Sequence, residues 1–187
     1  KAVITGEDTP KVKYGVISRS SKFVDEYPLA VDKVRLTGEE VAAVAAADPD
    51  AALDAMELIQ VDYESLSAVF DPNEALQPNA PQLHNHAPGN ISREFHLKHG
   101  DVEKGFLESD LVREDTFFTR SVIHAYLEPH AALAAWDMSG RLTVYTSTQT
   151  PYYVQQHLTL TLGINPDRVR VIKPYVGGGF GGKSDGM

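Results

Sequence analysis

The chain has 187 residues, 42% of them hydrophobic and 23% charged, the balance expected of a soluble globular protein of one ordinary domain or two small ones. Its net charge of −9, with Lys and Arg scattered, argues against a nucleic-acid partner, and without cysteine it can carry no disulfide, thiolate zinc site or iron–sulfur cluster of its own. No apolar run approaches the roughly 20 residues of a membrane span, no signal peptide is visible, and a start at Lys1 reads as a cut end.

Taken in order, Ala2–Thr5 reads as a short strand closed by the turn Gly6-Glu7-Asp8, and residues 9–26 as a polar surface excursion. Val34 and Leu36 alternate with charge, Thr37-Gly38-Glu39 turns the chain, and Val41–Ala47 is continuous small apolar sequence. That predicts a hairpin whose second strand is buried on both faces, although alanine also favours helix. Asp48-Pro49 supplies a helix cap and first turn for a helix to Gln60, after which VDYESL, from Val61, reads as a strand. Residues 71–90 change character, with four prolines and four asparagines between Pro72 and Asn90, and predict an extended linker at a domain boundary. His84 and His86 lie in it, with His96 and His99 beyond. Histidines two apart on a coil, with no cysteine, read as exposed side chains rather than a metal cluster.

The second half opens on an alternating strand, Ile91–Leu97, and a short helix capped by Asp101. A long β-rich stretch follows, in which Phe117, Phe118 and Trp136 read as core. Ser139-Gly140 turns the chain into the strand RLTVYTSTQ, Pro151 opens a helix stopped by Gly163, and Val169–Val176 reads as a buried strand. That strand runs into Gly177-Gly178-Gly179-Phe180-Gly181-Gly182. Five glycines in six residues cost backbone entropy and permit positive φ and close main-chain approach to a bound group. Gly177–Ser184 also satisfies the letters G-x-x-x-x-G-K-[ST] of a nucleotide-hydrolase phosphate loop. That chemistry needs a helix starting at the Lys-Ser pair, for which three remaining residues leave no room.

Two further places could carry chemistry. Gln149 stands between a strand and a proline-opened helix, where its amide can donate to or accept from a ligand or merely cap the helix. Glu128 and His130, two apart in an apolar context, could act as an acid/base pair, but a structural role is the preferred reading.

Four segments in order, EYPLAVDKVRLTGEEVAAVAA, LEPHAALAAWD, STQTPYYVQQHL and RVIKPYVGGGFGGK, resemble the molybdopterin-binding large subunit of the xanthine dehydrogenase/aldehyde oxidase family. The resemblance implies an α+β fold. Residues 1–70 would be the later part of an α/β hammerhead domain, 71–90 a linker, and 91–187 the start of the molybdenum-cofactor domain. It makes Gln149 the glutamine that hydrogen-bonds an oxygen ligand of molybdenum. Gly179, Phe180 and Gly181 become the loop whose main chain approaches the metal. Gln149 and Phe180 would be outer partners of molybdenum, with no direct metal ligand and no catalytic residue in this stretch, since the family's catalytic glutamate lies far downstream. Purine-oxidising members carry a glutamate directly after GGK, where this chain has Ser184. In wording the segments lie nearest the 4-hydroxybenzoyl-CoA reductase branch. The implied cofactor is molybdopterin with molybdenum, the cytosine dinucleotide form included. Iron–sulfur and FAD subunits are the implied partners, in a cytoplasmic, oligomeric oxidoreductase that acts on a small organic or aromatic substrate, CoA thioesters included. A phosphate-loop hydrolase and a non-catalytic interaction module are the alternatives.

Overall fold

The computed structural model describes residues 1–15 and 24–184. Part of the polar excursion at 9–26 and the last three residues therefore lie outside the described residues. β1 (Ala2–Thr5) pairs antiparallel with β2 (Ala42–Ala45), Ala2 opposite Ala45. The sequence pattern paired β2 with residues 34–36 instead. Those residues are held by Arg35, whose backbone amide donates to Glu39 Oε2 at 2.6 Å and whose guanidinium reaches the carbonyls of Lys33 and Leu83, each at 3.2 Å. Side-chain bonding of this kind competes with a strand ladder. β2 alternates half-buried and exposed positions, so it is not covered on both faces as the alanine run suggested.

Asp48 accepts from the Ala51 amide at 2.8 Å and starts α1 (Pro49–Glu57) where the sequence placed it. The expected strand at 61–66 does not form. Asp71 caps a single turn, α2 (Pro72–Ala75), and a 3₁₀ turn spans Pro88–Asn90, with neither helix nor strand at 76–87. Asp101 caps α3 (Val102–Leu107) by accepting from the Lys104 amide at 3.1 Å. The expected strands at 91–97 and over most of 111–131 are absent. Phe117 (86% exposed), Phe118 (90%) and Trp136 (58%) stand in solvent instead of forming core. Apolar alternation predicts burial only where another layer covers the face, and none does so among the described residues.

The organised centre is a three-stranded sheet in the order β3 (Ala132–Trp136), β4 (Leu142–Thr146), β5 (Val169–Ile172). β3 and β4 form an antiparallel hairpin. Its turn is fixed by Asp137 Oδ1, which accepts from Ser139 N (2.8 Å), Ser139 Oγ (2.7 Å) and Arg141 N (2.9 Å), with Gly140 at φ 75°. β5 lies parallel to β4, a pairing that requires a crossover, and α4 (Pro151–Leu162) supplies it. Proline opens α4 and Gly163, left-handed at φ 64°, ends it. Leu142, Val144, Val154 and Val169 are buried where α4 packs on the sheet. Burying each such side chain contributes about 1.5–3 kcal/mol. Because β4 and β5 run parallel, the segments that follow them emerge at the same edge.

Candidate cofactor-binding site

The carboxyl ends of parallel strands, where loops diverge from a rigid sheet, are where open α/β sheets form binding crevices. Here β4 leads into Ser147-Thr148-Gln149-Thr150, and β5 leads through Lys173–Val176 into the glycine loop. The two segments are stitched together. The Gln149 backbone amide donates to the Lys183 carbonyl at 2.8 Å, and Thr148 Oγ1 donates to the same carbonyl at 3.2 Å. Thr150 Oγ1 donates to the Ser184 carbonyl at 2.9 Å. In return Gln149 Oε1 accepts from the backbone amides of Gly181 (3.0 Å) and Lys183 (3.3 Å). Sequence distance is bridged entirely by the crossover, so Gln149 and the loop share one site.

Glycine is required here by space. A Cβ on Gly179 would stand 2.5 Å from Gln149 Oε1. On Gly177 it would stand 2.7 Å from Glu128 Cβ, and on Gly182 2.8 Å from both His124 Nδ1 and Tyr126 Cε1. Gly178 and Gly181 hold φ at 98° and 97°, and Phe180, the one residue of the loop with a side chain to strain, sits at φ 49° and is 75% exposed. A non-glycine residue in that region is uncommon and points to a constraint imposed by the site.

Lys183 shows why the phosphate-loop letters mislead. Its side chain is wholly buried, its amine 2.7 Å from Glu128 Oε2 and 4.9 Å from the centre of the Tyr126 ring. Glu128 also accepts from the Gly177 amide at 2.9 Å, so one carboxylate fastens both ends of the loop. The bond from Lys183, followed by that from Gly177, holds the Glu128 carboxyl below its usual range. The amine is therefore committed to a carboxylate and not presented to a phosphate. Residues 180–183 form a turn in place of the helix start that a phosphate loop needs. Glu128 thus takes the structural role. Its partner is Lys183, while His130 packs edge-on to Tyr126 at 5.3 Å. Glu128 and Lys183 lie in motifs more than 50 residues apart, and nothing in the sequence joins them.

What this site offers a ligand is donors. Among the described residues, the backbone amides of Gly178, Gly179 and Phe180 have no acceptor, and neither does the side-chain nitrogen of Gln149, an exposed residue. Oriented N–H groups of this kind suit an oxygen-rich, negatively charged group. The donor set fits the oxygens of a molybdopterin centre.

A second cluster lies elsewhere, and in it His84 is half-buried and grouped with other donors, not simply exposed as its coil context suggested. His84 Nε2 stands 3.9 Å from Asp25 Oδ2, and His86 joins them, while His96 and His99 are exposed and apart. Burial pushes the His84 imidazole below the usual histidine range against the opposing pull of Asp25, with Arg35, His86 and Lys13 adding to the lowering.

The profile of the molybdopterin cofactor-binding domain matches residues 83–187, more than half of the chain, and that of the aldehyde oxidase and xanthine dehydrogenase a/b hammerhead domain matches residues 1–67. The chain belongs to the xanthine dehydrogenase/aldehyde oxidase family. Within that family it corresponds to part of the molybdopterin-binding large subunit, of α+β fold. It is 38% identical over 175 residues to the nicotinate dehydrogenase large molybdopterin subunit of Eubacterium barkeri, covering 94% of this chain and 40% of that one. It is 30% identical over 190 residues to the xanthine dehydrogenase molybdenum-binding subunit of Escherichia coli O157:H7, covering 98% and 25%. The crystal structure of quinoline 2-oxidoreductase from Pseudomonas putida 86 superposes with a TM-score of 0.83 at 29% identity, over 98% of this chain and 24% of that one. The chain thus spans between about a quarter and two fifths of these relatives. No helix among the described residues is long and apolar enough to cross a membrane.

Proposed function

We propose that the chain supplies one wall of the molybdenum-cofactor site in an oxidoreductase large subunit. The observation that supports this reading is the donor set at one sheet edge: the amides of Gly178, Gly179 and Phe180 beside the Gln149 side chain. Bound molybdopterin would supply two-electron redox chemistry at a substrate carbon. This chain's residues hold and orient it. Gln149, its oxygen fixed by Gly181 and Lys183, can turn only its NH₂ toward the group, and the loop amides are set before any reaction begins. Gln149 and Phe180 then act as outer partners of the metal, with Gly179 and Gly181 permitting the approach, and no residue here ligates it.

Residues 1–70 are read as hammerhead, 71–90 as linker and 91–187 as cofactor domain. Electron transfer away from the centre needs iron–sulfur and flavin groups, and a chain without cysteine leaves the clusters to other domains or subunits of an oligomeric, cytoplasmic complex. For substrate we favour a small nitrogen heteroaromatic, a reading supported by the likeness to a nicotinate dehydrogenase subunit and a quinoline 2-oxidoreductase. Ser184 in place of the glutamate of purine-oxidising members disfavours a purine. The CoA-thioester reading rests on the wording of the two motifs alone, and the cytosine dinucleotide form of the cofactor is read from the same resemblance.

The test is Gln149→Ala in the full-length protein. Molybdenum content should stay near that of the parent while turnover of a heteroaromatic substrate falls by about a hundredfold, the loss typical of one oriented donor. Gln149→Glu should fall further, because a carboxylate can only accept. Parental turnover in both variants would remove Gln149 from the site.

A further inference from the structure

The Asp25, His84 and His86 cluster belongs to neither the sheet nor the glycine loop, and the cofactor reading makes no use of it. Its three side chains each offer one donor atom, all within 4.8 Å of one another, from segments far apart in sequence. We propose that Asp25, His84 and His86 form a binding site for a divalent transition-metal cation, with zinc the ion their donors suit best. Two imidazoles and a carboxylate are a zinc donor set. Ligand bonds of about 2.0–2.2 Å in a tetrahedral site place donors roughly 3.4 Å apart, so closure by about an ångström completes it. His84 Nε2 and Asp25 Oδ2, at 3.9 Å, are most of the way there.

The scaffold under these side chains is fixed before any ion arrives. Gln82 Nε2 donates to the carbonyls of His84 (2.8 Å) and Ala87 (2.6 Å), while its oxygen accepts from the Gly89 amide at 3.2 Å. The Asn90 side chain accepts from the Leu83 amide at 2.9 Å and donates to the carbonyls of Ala75 and Pro81, each at 2.9 Å. The histidines therefore ride on a turn pinned at both ends. On the other side, Glu26 next to Asp25 exchanges both backbone bonds with Tyr14, at 3.0 and 3.1 Å. The neighbouring cation Arg35 is itself met by Asp32 (3.7 Å) and Glu39 (3.9 Å), and Lys13 lies over the Tyr27 ring at 5.1 Å. Among the described residues the site has three protein ligands, which leaves the fourth position of a tetrahedral shell open to water, as in other three-ligand zinc sites. A bound ion would tie the 24–26 segment to the 81–90 turn.

The experiment uses the full-length protein, stripped with chelator and dialysed against zinc, with cobalt(II) as a spectroscopic substitute. The parent should retain about one zinc per chain at this site and show the intense visible bands of four-coordinate cobalt. His84→Gln and His86→Gln should each weaken zinc binding by at least about tenfold, the loss seen even when outer partners of a metal are removed, and abolish those bands. His86 is exposed, so His86→Gln should keep the fold, which far-UV circular dichroism checks. His96→Gln, removing an exposed histidine paired with Glu94 at 3.1 Å, should bind as the parent does. No zinc in the parent, or equal binding in His86→Gln and the parent, overturns the proposal.

Discussion

Lys183 lies wholly out of water with its amine on Glu128, which keeps 36% of its own side chain exposed. Screening limits what such a pair contributes, yet its placement decides the loop, because the same carboxylate holds Gly177. The Glu128 carboxyl is held below its usual range by Lys183 first and the Gly177 amide second. A depressed folded-state pKa gives stability that is complete above the ordinary carboxylate range and lost as pH falls through the depressed value. Acid should therefore destabilise the parent more than Glu128→Gln, as urea midpoints measured from neutral pH into the acid range would show. Equal slopes would mean that the pair contributes nothing to the fold. Gly179→Ala tests the packing of the same loop. Its new Cβ, 2.5 Å from Gln149 Oε1, should cost about 1–3 kcal/mol of stability, the range for overpacking, and should displace the Gln149 side chain. An unchanged melting temperature would show that the loop has room to spare.

Among the helices and strands, the local signals that proved reliable are those whose physics is complete within a few residues. Asp48 and Asp101 cap helices because each carboxylate reaches an amide three positions on, whatever the rest of the fold does, and Asp71 does the same for a single turn that the linker reading of 71–90 left out. Gly163 ends α4 because its φ of 64° is one that a β-carbon resists. Gly163→Ala should accordingly cost about 1–2 kcal/mol in chemical denaturation, whereas the exposed Gly105→Ala, inside α3, should be neutral or stabilising. If both behave alike, the cap is not what stops the helix. Strands were less legible, since a strand needs a partner that its own sequence does not name. Residues 34–36, 61–66 and 91–97 have the alternation and lack the neighbour.

For the molecule taken together, the exposed apolar residues are the outstanding feature. Phe117, Phe118, Val122, Ile123, Leu127 and Leu133 are each more than half exposed, an amount of apolar surface that free-standing domains seldom present together. The chain spans well under half of its named relatives, and surface of this kind is what further sequence would cover. Expressed alone, these 187 residues should bind a hydrophobic dye and self-associate in light-scattering chromatography. A monodisperse monomer without dye binding would show that the surface is tolerated as it stands.

The amino-acid order was enough to specify the helices capped by Asp48 and Asp101, the turn at Ser139–Gly140, the α4 crossover and the glycine loop, because caps, turns and glycine runs act through neighbouring backbone. Through four ordered motifs it specified the family as well. It took the folded chain to pair β2 with β1, to hold Gln149 Oε1 against Gly181 and Lys183, and to set Lys183 on Glu128. Folding likewise brought Asp25 to His84 and His86. Each of these joins residues distant in sequence, and such contacts become favourable only once the crossover and the folded turns have met the entropy of bringing the segments together.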